Sequence, residues 1–169
     1  MKPVNQMSRQ EFVDAFGGIY EHSSWIAHQS WDNGLSASAN TAHGLQSIMA
    51  RVVMAASPAA QLQLLCAHPD LAGKLAVSGK LTEESTSEQA SAGLDKCTQE
   101  EFDELQALNQ RYKSTFGFPY ILAVKGRKVP EIIENFRTRV DNDTETEFRE
   151  ALEQVNQIAL LRLEGLWGQ

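Results

Sequence analysis

Apolar positions recur along most of the chain at the three- and four-residue spacing of amphipathic helices. Ser8 and Glu11 have the spacing of a capping box, and the first apolar stripe follows them at Phe12, Val13, Phe16, Ile19 and Tyr20. A second helix is predicted over Ser24 to Trp31. A third is predicted to begin at Asn40 or Thr41, with one face formed by Leu45, Ile48, Met49, Val52 and Val53.

Proline and polar residues shape the next part of the pattern. Ser57-Pro58 predicts the start of a fourth helix, which carries Leu62, Leu65 and Cys66 and ends before Pro69. Residues 69–79 are expected to form a short helix or turn, and residues 82–93 a loop followed by a short helix. The stretch 78–100 is rich in Ser, Thr and Glu, which is typical of a mobile loop over a site.

The second half of the chain is also mainly helical. Thr98 begins another capping box, followed by an apolar stripe at Phe102, Leu105, Leu108, Tyr112 and Phe116. "FGFPYILAVKG" breaks this periodicity and predicts an extended segment near 118–125. Pro130 predicts a helix through Val140, and Thr144 the longest helix, with Phe148, Leu152, Val155, Ile158 and Leu161 spaced for burial. Because one strand makes no sheet, the predicted class is all-α, a single-domain multi-helix bundle over residues 1–169.

Composition and charge narrow the possible functions. A chain of 169 residues, 42% hydrophobic, suits one domain with a single core. Its net charge of −7 argues against nucleic-acid binding, which needs a basic face. No window approaches the roughly 18 consecutive apolar residues of a membrane span. The N-terminus lacks the apolar run of a signal peptide, and Cys66 and Cys97 lack metal-ligand spacing, so reduced thiols and a cytoplasmic location are expected.

His68, which stands directly before Pro69, is the first candidate for chemistry. A residue before proline is pushed out of the α region, so this histidine is expected where the fourth helix stops. It either serves the last helical carbonyls or is held there for acid–base work near neutral pH. The other histidines are scattered, and no zinc motif, phosphate loop or Gly-x-Ser-x-Gly elbow occurs, so a metal site has weak support.

Three further features each allow two interpretations. Ser85, Glu88 and Gln89 fit an ordinary helix start, or a helix start whose donors bind an anionic or urea-like ligand. The extended segment is either a buried connector or free backbone that bonds a flat polar ring. Arg162 interrupts the last apolar stripe: it is either on the surface, with Glu164 as a local partner, or it points inward and needs an anion.

Taken together, these motifs resemble those of the 2-oxo-4-hydroxy-4-carboxy-5-ureidoimidazoline (OHCU) decarboxylases of urate breakdown. The resemblance covers nearly the whole chain. The matching stretches are "FGGIYEHSSWIA" (16–27), "HPDLAGK" (68–74), "LTEESTSEQASAGLD" (81–95), "FGFPYILAVKGR" (116–127) and the long helix that bears Arg162.

The resemblance implies an all-helical, cofactor-free and commonly dimeric enzyme that converts OHCU to (S)-allantoin and carbon dioxide. It places the catalytic residues at His68 and Glu88. It places substrate-binding groups at Pro69, Ser85, Gln89, the backbone of Phe118, Pro119, Tyr120 and Ile121, and Arg162. We therefore expect a small ureide as ligand, a homodimer, and no metal, nucleic-acid or membrane partner.

This hypothesis requires His68, Glu88 and Arg162 to converge on one enclosed cavity the size of a small heterocycle. A hydrolase or lyase acting on another ureide is the nearest alternative, because ring and ureido contacts do not determine which bond is broken. A non-catalytic helical adaptor is the second alternative, and it predicts that the three side chains point apart or outward.

Overall fold

The computed structural model describes residues 2–72 and 82–168. These residues contain eight α-helices and three short 3-10 segments. The helices are α1 (Arg9–Phe16), α2 (Trp25–Asp32), α3 (Ala42–Ala55), α4 (Pro58–Cys66), α5 (Glu83–Ser91), α6 (Gln99–Phe116), α7 (Val129–Arg139) and α8 (Thr144–Trp167). The 3-10 segments are Val4–Gln6, Ala37–Asn40 and Leu94–Lys96. No strand occurs in these residues, which confirms the all-α class.

Most of the predicted helix starts are confirmed, and the side chains that cap them are the expected ones. Ser8, Thr41, Ser57 and Thr98 each accept a hydrogen bond from the amide three residues on. Ser8 and Thr98 form full capping boxes with the glutamates that follow them. Each cap contributes about 1 kcal/mol, so the helix boundaries are specified locally.

The predicted start of α5 is wrong by three residues. Thr82, not Ser85, is the N-cap, and its hydroxyl accepts the Ser85 amide at 3.3 Å. Ser85 therefore lies in the first helical turn, and Glu88 and Gln89 lie in the second. The short helix expected within 82–93 is present as Glu83–Ser91, whereas the mobile loop expected over 78–100 is wrong for its described part, which is helical and then forms the 3-10 segment. Most of the predicted short helix or turn at 69–79 lies outside the described residues.

The extended segment after α6 is confirmed. Gly117 ends the helix with φ of 79°, a left-handed conformation that glycine adopts without strain. Residues 119–124 are neither helix nor strand, and all residues from 118 to 124 are buried. A turn with Gly126 at φ 81° follows, and α7 then carries Pro130 in its first turn.

The chain divides into two compact units, which are described separately. Unit 1 comprises Met1–Ala67 and Val155–Gln169, and unit 2 comprises His68–Gln154. The core of unit 1 includes the fully buried side chains of Phe12, Phe16, Ile26, Leu45, Met49 and Leu64. The core of unit 2 includes those of Tyr112, Tyr120, Phe118 and Phe136. The expectation of a single domain stays a prediction.

Both cysteines are reduced thiols, as expected, with Cys66 exposed and Cys97 half-buried. Burial raises the pKa of the Cys97 thiol, and the nearby charge of Glu101 adds to the effect. Among the described residues, no single helix is long and apolar enough to cross a membrane. One helix pair, α3 with α4, meets that length and composition together but is bent by 118°.

Candidate active site

His68 lies where α4 stops, as the proline after it predicts. The last helical residue is Cys66, and the Ala67 amide donates to the carbonyls of Gln63 and Leu64 at 3.0 and 3.3 Å. The His68 side chain follows at once and is buried, with 9% of the residue exposed. The carbonyls of Gln63 and Leu64 at the end of α4 are thus bonded by a backbone amide, and the His68 imidazole is buried.

The turn after His68 is bound to α5 by one amide side chain. The Ala72 amide donates to Gln89 Oε1 at 2.9 Å, and Gln89 Nε2 lies 3.4 Å from the Asp70 carbonyl oxygen. The Asp70 carboxylate pairs with Lys113 Nζ at 2.7 Å near the surface. Ala72 has φ of 49°, in the left-handed region that residues other than glycine rarely adopt. Gln89 therefore contacts the backbone of the turn that follows the candidate catalytic histidine.

The same turn is bound to α6 by two more amide side chains. Gln106 Nε2 donates to the Ala72 carbonyl at 2.8 Å, and Asn109 Nδ2 donates to the Leu71 carbonyl at 2.9 Å. Leu71 and Ala72 are both buried, so their backbone groups need partners within the protein. Gln89, Gln106 and Asn109 supply partners for the Ala72 amide and for both carbonyls.

Helix α5 presents the predicted polar residues on its buried side. Ser85 and Gln89 are one turn apart and are 4% and 6% exposed, whereas Glu88 is half-buried. Gln89 can be buried here because the backbone of the turn at Asp70 and Ala72 accepts and donates its hydrogen bonds. The three residues therefore share one helix, but only Ser85 lies at its start.

The buried extended segment is anchored by side chains from α7 and α8. Arg139 Nη1 donates to the Ile121 carbonyl at 2.7 Å, and its guanidinium carbon lies 4.6 Å from the centroid of the Tyr120 ring. Further along the segment, the Ala123 amide donates to Oε1 of Gln154 on α8 at 2.9 Å. The backbone of 118–124 is therefore held in place without forming a helix or a strand.

Arg139 belongs to a buried ion pair with Glu147, whose side chains are 5% and 0% exposed. Arg139 Nε donates to Glu147 Oε1 at 2.6 Å, the Tyr112 hydroxyl donates to the same oxygen at 2.5 Å, and Asn142 donates to Oε2 at 2.9 Å. Burial opposes the charge on Arg139, but the hydrogen bond and charge of Glu147 outweigh it and raise the pKa of Arg139. Burial and the bond to Glu147 also raise the pKa of Tyr112.

Arg162 points inward, and it has an anion as its partner within unit 1. Arg162 Nη2 donates to Glu21 Oε2 at 2.9 Å, and Nη1 donates to the Ile19 carbonyl at 3.3 Å. The Arg162 and Glu21 side chains are 6% and 1% exposed. The proposed local partner, Glu164, instead lies 3.8 Å from His43. The surface interpretation of Arg162 is therefore wrong.

The predicted site residues are distributed over both units. Arg162 belongs to unit 1, and all the other predicted site residues belong to unit 2. Those in unit 2 are His68, Pro69, Ser85, Glu88, Gln89 and residues 118–121. A cavity of about 590 Å³ in unit 2 is lined by residues of α5, the 3-10 turn and α6, and of the predicted site residues Gln89 contributes to it. The convergence of His68, Glu88 and Arg162 on one cavity stays a prediction. In the described ranges, no group of three or more His, Cys, Asp or Glu side chains could hold a metal ion.

The sequence interpretation missed the polar residues that hold these segments. They are Gln106, Asn109, Arg139, Glu147 and Glu21. Asn109 and Glu147 carry a signal in the sequence: each stands at a buried position of an apolar stripe, where a polar residue is unusual. The partner of Asn109 lies 38 residues away, and nothing in the sequence pattern pairs Glu147 with Arg139.

Comparisons with known proteins agree on one family. The family model described as OHCU decarboxylase matches residues 5–164. A 2-oxo-4-hydroxy-4-carboxy-5-ureidoimidazoline decarboxylase of Halalkalicoccus jeotgali is 43% identical over 166 residues, which cover 98% of this chain and 90% of the relative. The uric acid degradation bifunctional protein PucL of Bacillus subtilis is 40% identical over 96% of this chain and 32% of its own.

The fold has close counterparts among solved structures. The crystal structure of an (S)-allantoin synthase superposes with a TM-score of 0.77 and 32% identity, over 97% of this chain and 52% of that one. A crystal structure of an OHCU decarboxylase in the presence of (S)-allantoin shares the fold, with a TM-score of 0.71 at 23% identity. The family match spans almost the whole chain, and the chain belongs to the OHCU decarboxylase family.

Proposed function

We propose that this protein decarboxylates OHCU to (S)-allantoin and carbon dioxide in urate degradation. One observation carries the proposal: the OHCU decarboxylase family model matches residues 5–164, which include His68 and every other candidate residue. Relatives that carry this activity in their names match over nearly their full length, as the Halalkalicoccus protein does at 90%.

The reaction needs an electron sink, a proton donor and a hold on the substrate. Breaking the bond to the carboxylate releases carbon dioxide and leaves an electron pair on the ring carbon. The adjacent ring C=N bond accepts that pair, so the substrate supplies its own sink. The ring nitrogen takes up a proton, a second proton is added to one face of the ureido-bearing carbon, and the hydroxyl loses its proton to become a carbonyl. Positioning and fixed dipoles are the main contributions that the protein makes.

His68 is proposed to transfer protons at the reacting centre, to the ureido-bearing carbon and from the hydroxyl on the neighbouring carbon. Imidazole is suited to this because both of its protonation states are accessible near neutral pH. The burial of His68 supports the proposal, since a buried imidazole can be directed at one face of a substrate. Glu88, half-buried on α5, is proposed to orient or balance the charge of this ring, or to hold the ureido group.

The remaining candidate residues are proposed to bind the substrate. The backbone of 118–121 is not helical, so its polar groups are not used within a helical ladder. The Ile121 carbonyl accepts from Arg139, and the other amides and carbonyls of this stretch are proposed to bond ring heteroatoms. Ser85 and the second N–H of the Gln89 amide are proposed to bond the ureido group. Arg162, whose buried guanidinium pairs with Glu21, is proposed to hold a substrate oxygen. Pro69 is proposed to bring its ring against the substrate.

The test is turnover of freshly generated OHCU. Two quantities are measured, the release of carbon dioxide and the optical activity of the allantoin formed. OHCU decays unaided to racemic allantoin, so an optically active product indicates proton delivery by the enzyme. His68→Asn should keep the fold and lower turnover substantially, whereas the matched change His43→Asn, at an exposed histidine, should not. A ureide consumed without carbon dioxide would identify a different ureide enzyme. No reaction, and no ureide that shifts the melting temperature, would identify an adaptor.

Arg162→Ala tests the binding role, because it should raise KM for OHCU more than it lowers kcat. Unchanged values of both would remove Arg162 from the site. A homodimer and a cytoplasmic location also stay predictions, and sedimentation equilibrium and cell fractionation would test them.

A further inference from the structure

We propose that Asn109 and Gln106 of α6 are positioning residues for His68, which act by holding the backbone carbonyls of Leu71 and Ala72. The inference rests on the proposed role of His68 as the acid–base group. Neither residue is assigned to the substrate: each donates to the protein backbone, at 2.9 and 2.8 Å respectively.

Asn109 occupies a position where an apolar residue would be expected. It is 3% exposed and lies on the buried face of α6 with Leu105, Tyr112 and Phe116. Its Oδ1 atom is buried and has no hydrogen-bond partner among residues 2–72 and 82–168. Burying the amide oxygen of Asn109 without a hydrogen bond costs stability. The hydrogen bond from Nδ2 to Leu71 is the contact that offsets this cost.

Ala72 shows why the turn needs several hydrogen bonds. Its φ of 49° is uncommon for a residue with a Cβ atom, and such a conformation persists only when the surroundings determine it. The Ala72 amide is held by Gln89 and its carbonyl by Gln106. With Asn109 on the preceding carbonyl, three consecutive hydrogen bonds from two helices fix this backbone.

The constraint reaches His68 through a short and stiff stretch of chain. Only Pro69 and Asp70 separate His68 from Leu71. Pro69 has a fixed φ and restricts His68 to extended backbone angles, so few torsions remain free between the imidazole and the held carbonyls. A shift of about 1 Å in a catalytic group can lower the rate about 100-fold, so a loosened turn should be visible in turnover.

The first experiment measures kcat and KM for OHCU with Asn109→Leu and with Gln106→Leu. We expect kcat per folded enzyme to fall about 10- to 100-fold, with KM changed less than about twofold, because the turn positions the proton donor and not the substrate. Gln110→Leu is the matched control, an exposed glutamine on the same helix, and should retain the wild-type kcat.

A second experiment separates positioning from general stability. In Asn109→Asp, the new carboxyl can donate to the Leu71 carbonyl only while it is protonated. Its kcat relative to the wild type should therefore fall as the pH rises through the pKa of that carboxyl, whereas Asn109→Leu should show no such added dependence. The folded fraction is followed at each pH by circular dichroism. A merely structural role would change the folded fraction and leave kcat per folded enzyme unchanged.

A third measurement does not depend on activity. The ring-proton resonances of His68, assigned by their absence in His68→Asn, should shift in Asn109→Leu and Gln106→Leu and stay in place in Gln110→Leu. Shifted resonances in a protein without OHCU turnover would refute the proposed function and keep the positioning role. Wild-type kcat and unshifted resonances in both leucine variants would overturn the positioning role. If Asn109→Leu does not fold, Gln106→Leu and Asn109→Asp decide the question.

Discussion

Removing the charge of Glu147 should destabilise the protein far more than any surface substitution. Glu147 is fully buried and accepts hydrogen bonds from Arg139, Tyr112 and Asn142. Glu147→Gln preserves the size of the side chain but leaves the Arg139 guanidinium buried without a counter-charge. It also turns one acceptor into a donor that faces other donors.

The expected magnitude follows from the burial of both partners. Breaking a buried ion pair by removing one charge costs about 3–5 kcal/mol. For a chain of this length, each kcal/mol lowers the melting temperature by roughly 2–4 °C, so Glu147→Gln should lower it by about 6–20 °C. Arg139 also holds the Ile121 carbonyl, so the change should loosen the extended segment before the rest of unit 2 unfolds.

Differential scanning calorimetry and urea titration measure the loss, and Glu145→Gln is the control. Glu145 lies on the same helix and pairs with Arg149 at 3.2 Å, but its side chain is 87% exposed. The control should change the free energy of unfolding by no more than about 0.5 kcal/mol. A loss below about 1 kcal/mol for Glu147→Gln, or one equal to that of the control, would refute the idea that this pair determines the stability of unit 2.

Three further outcomes are expected. Gly44→Ala should cost roughly 1–3 kcal/mol in a urea titration, because its Cβ would stand 1.9 Å from a backbone carbonyl oxygen, whereas Gly165→Ala, with open space around it, should gain about 0.5–1 kcal/mol. Hydrogen bonds from the Ser8 amide and then from the Lys2 ammonium lower the pKa of Glu11 from 4.5 to about 2. The stability that this carboxylate contributes is therefore present above pH 4.5 and lost as the pH falls towards 2, and Glu11→Gln should abolish that part of the pH dependence of unfolding. His22→Gly should raise the stability to urea by about 0.5–1 kcal/mol, since φ of 47° at this exposed residue is strained for any side chain; an unchanged midpoint would contradict this.

The helices could be predicted because their signals are local. Ser8, Thr41, Ser57 and Thr98 cap the helices that were expected to begin there, since capping depends on an amide only three residues away. The start of α5 shows the limit of such signals. Thr82 and Ser85 stand three residues apart, so either could cap the helix, and the structure uses the first.

The partners of the buried polar residues could not be predicted in the same way. Helical spacing can indicate whether a residue such as Asn109 or Arg162 lies on the buried face of its helix. It does not indicate the partner, which is 38 residues away for Asn109 and 141 residues away for Arg162. The sequence indicates that an inward-facing Arg162 needs an anion as its partner. Nothing in the sequence distinguishes Glu21 from the other glutamates as that anion. Long-range pairing depends on the packing of whole helices, which periodicity does not determine.

The residues that resisted prediction are the ones that hold the candidate site. A core of apolar residues alone would favour helix packing but would leave the Ala72 turn and the extended segment without partners for their backbone groups. Asn109 and Arg139 supply those partners at buried positions, where each costs stability unless its hydrogen bonds are made. A polar residue at a buried helical position is thus a sequence-level indication that a non-helical segment is held nearby, and in this chain both such segments carry predicted site residues.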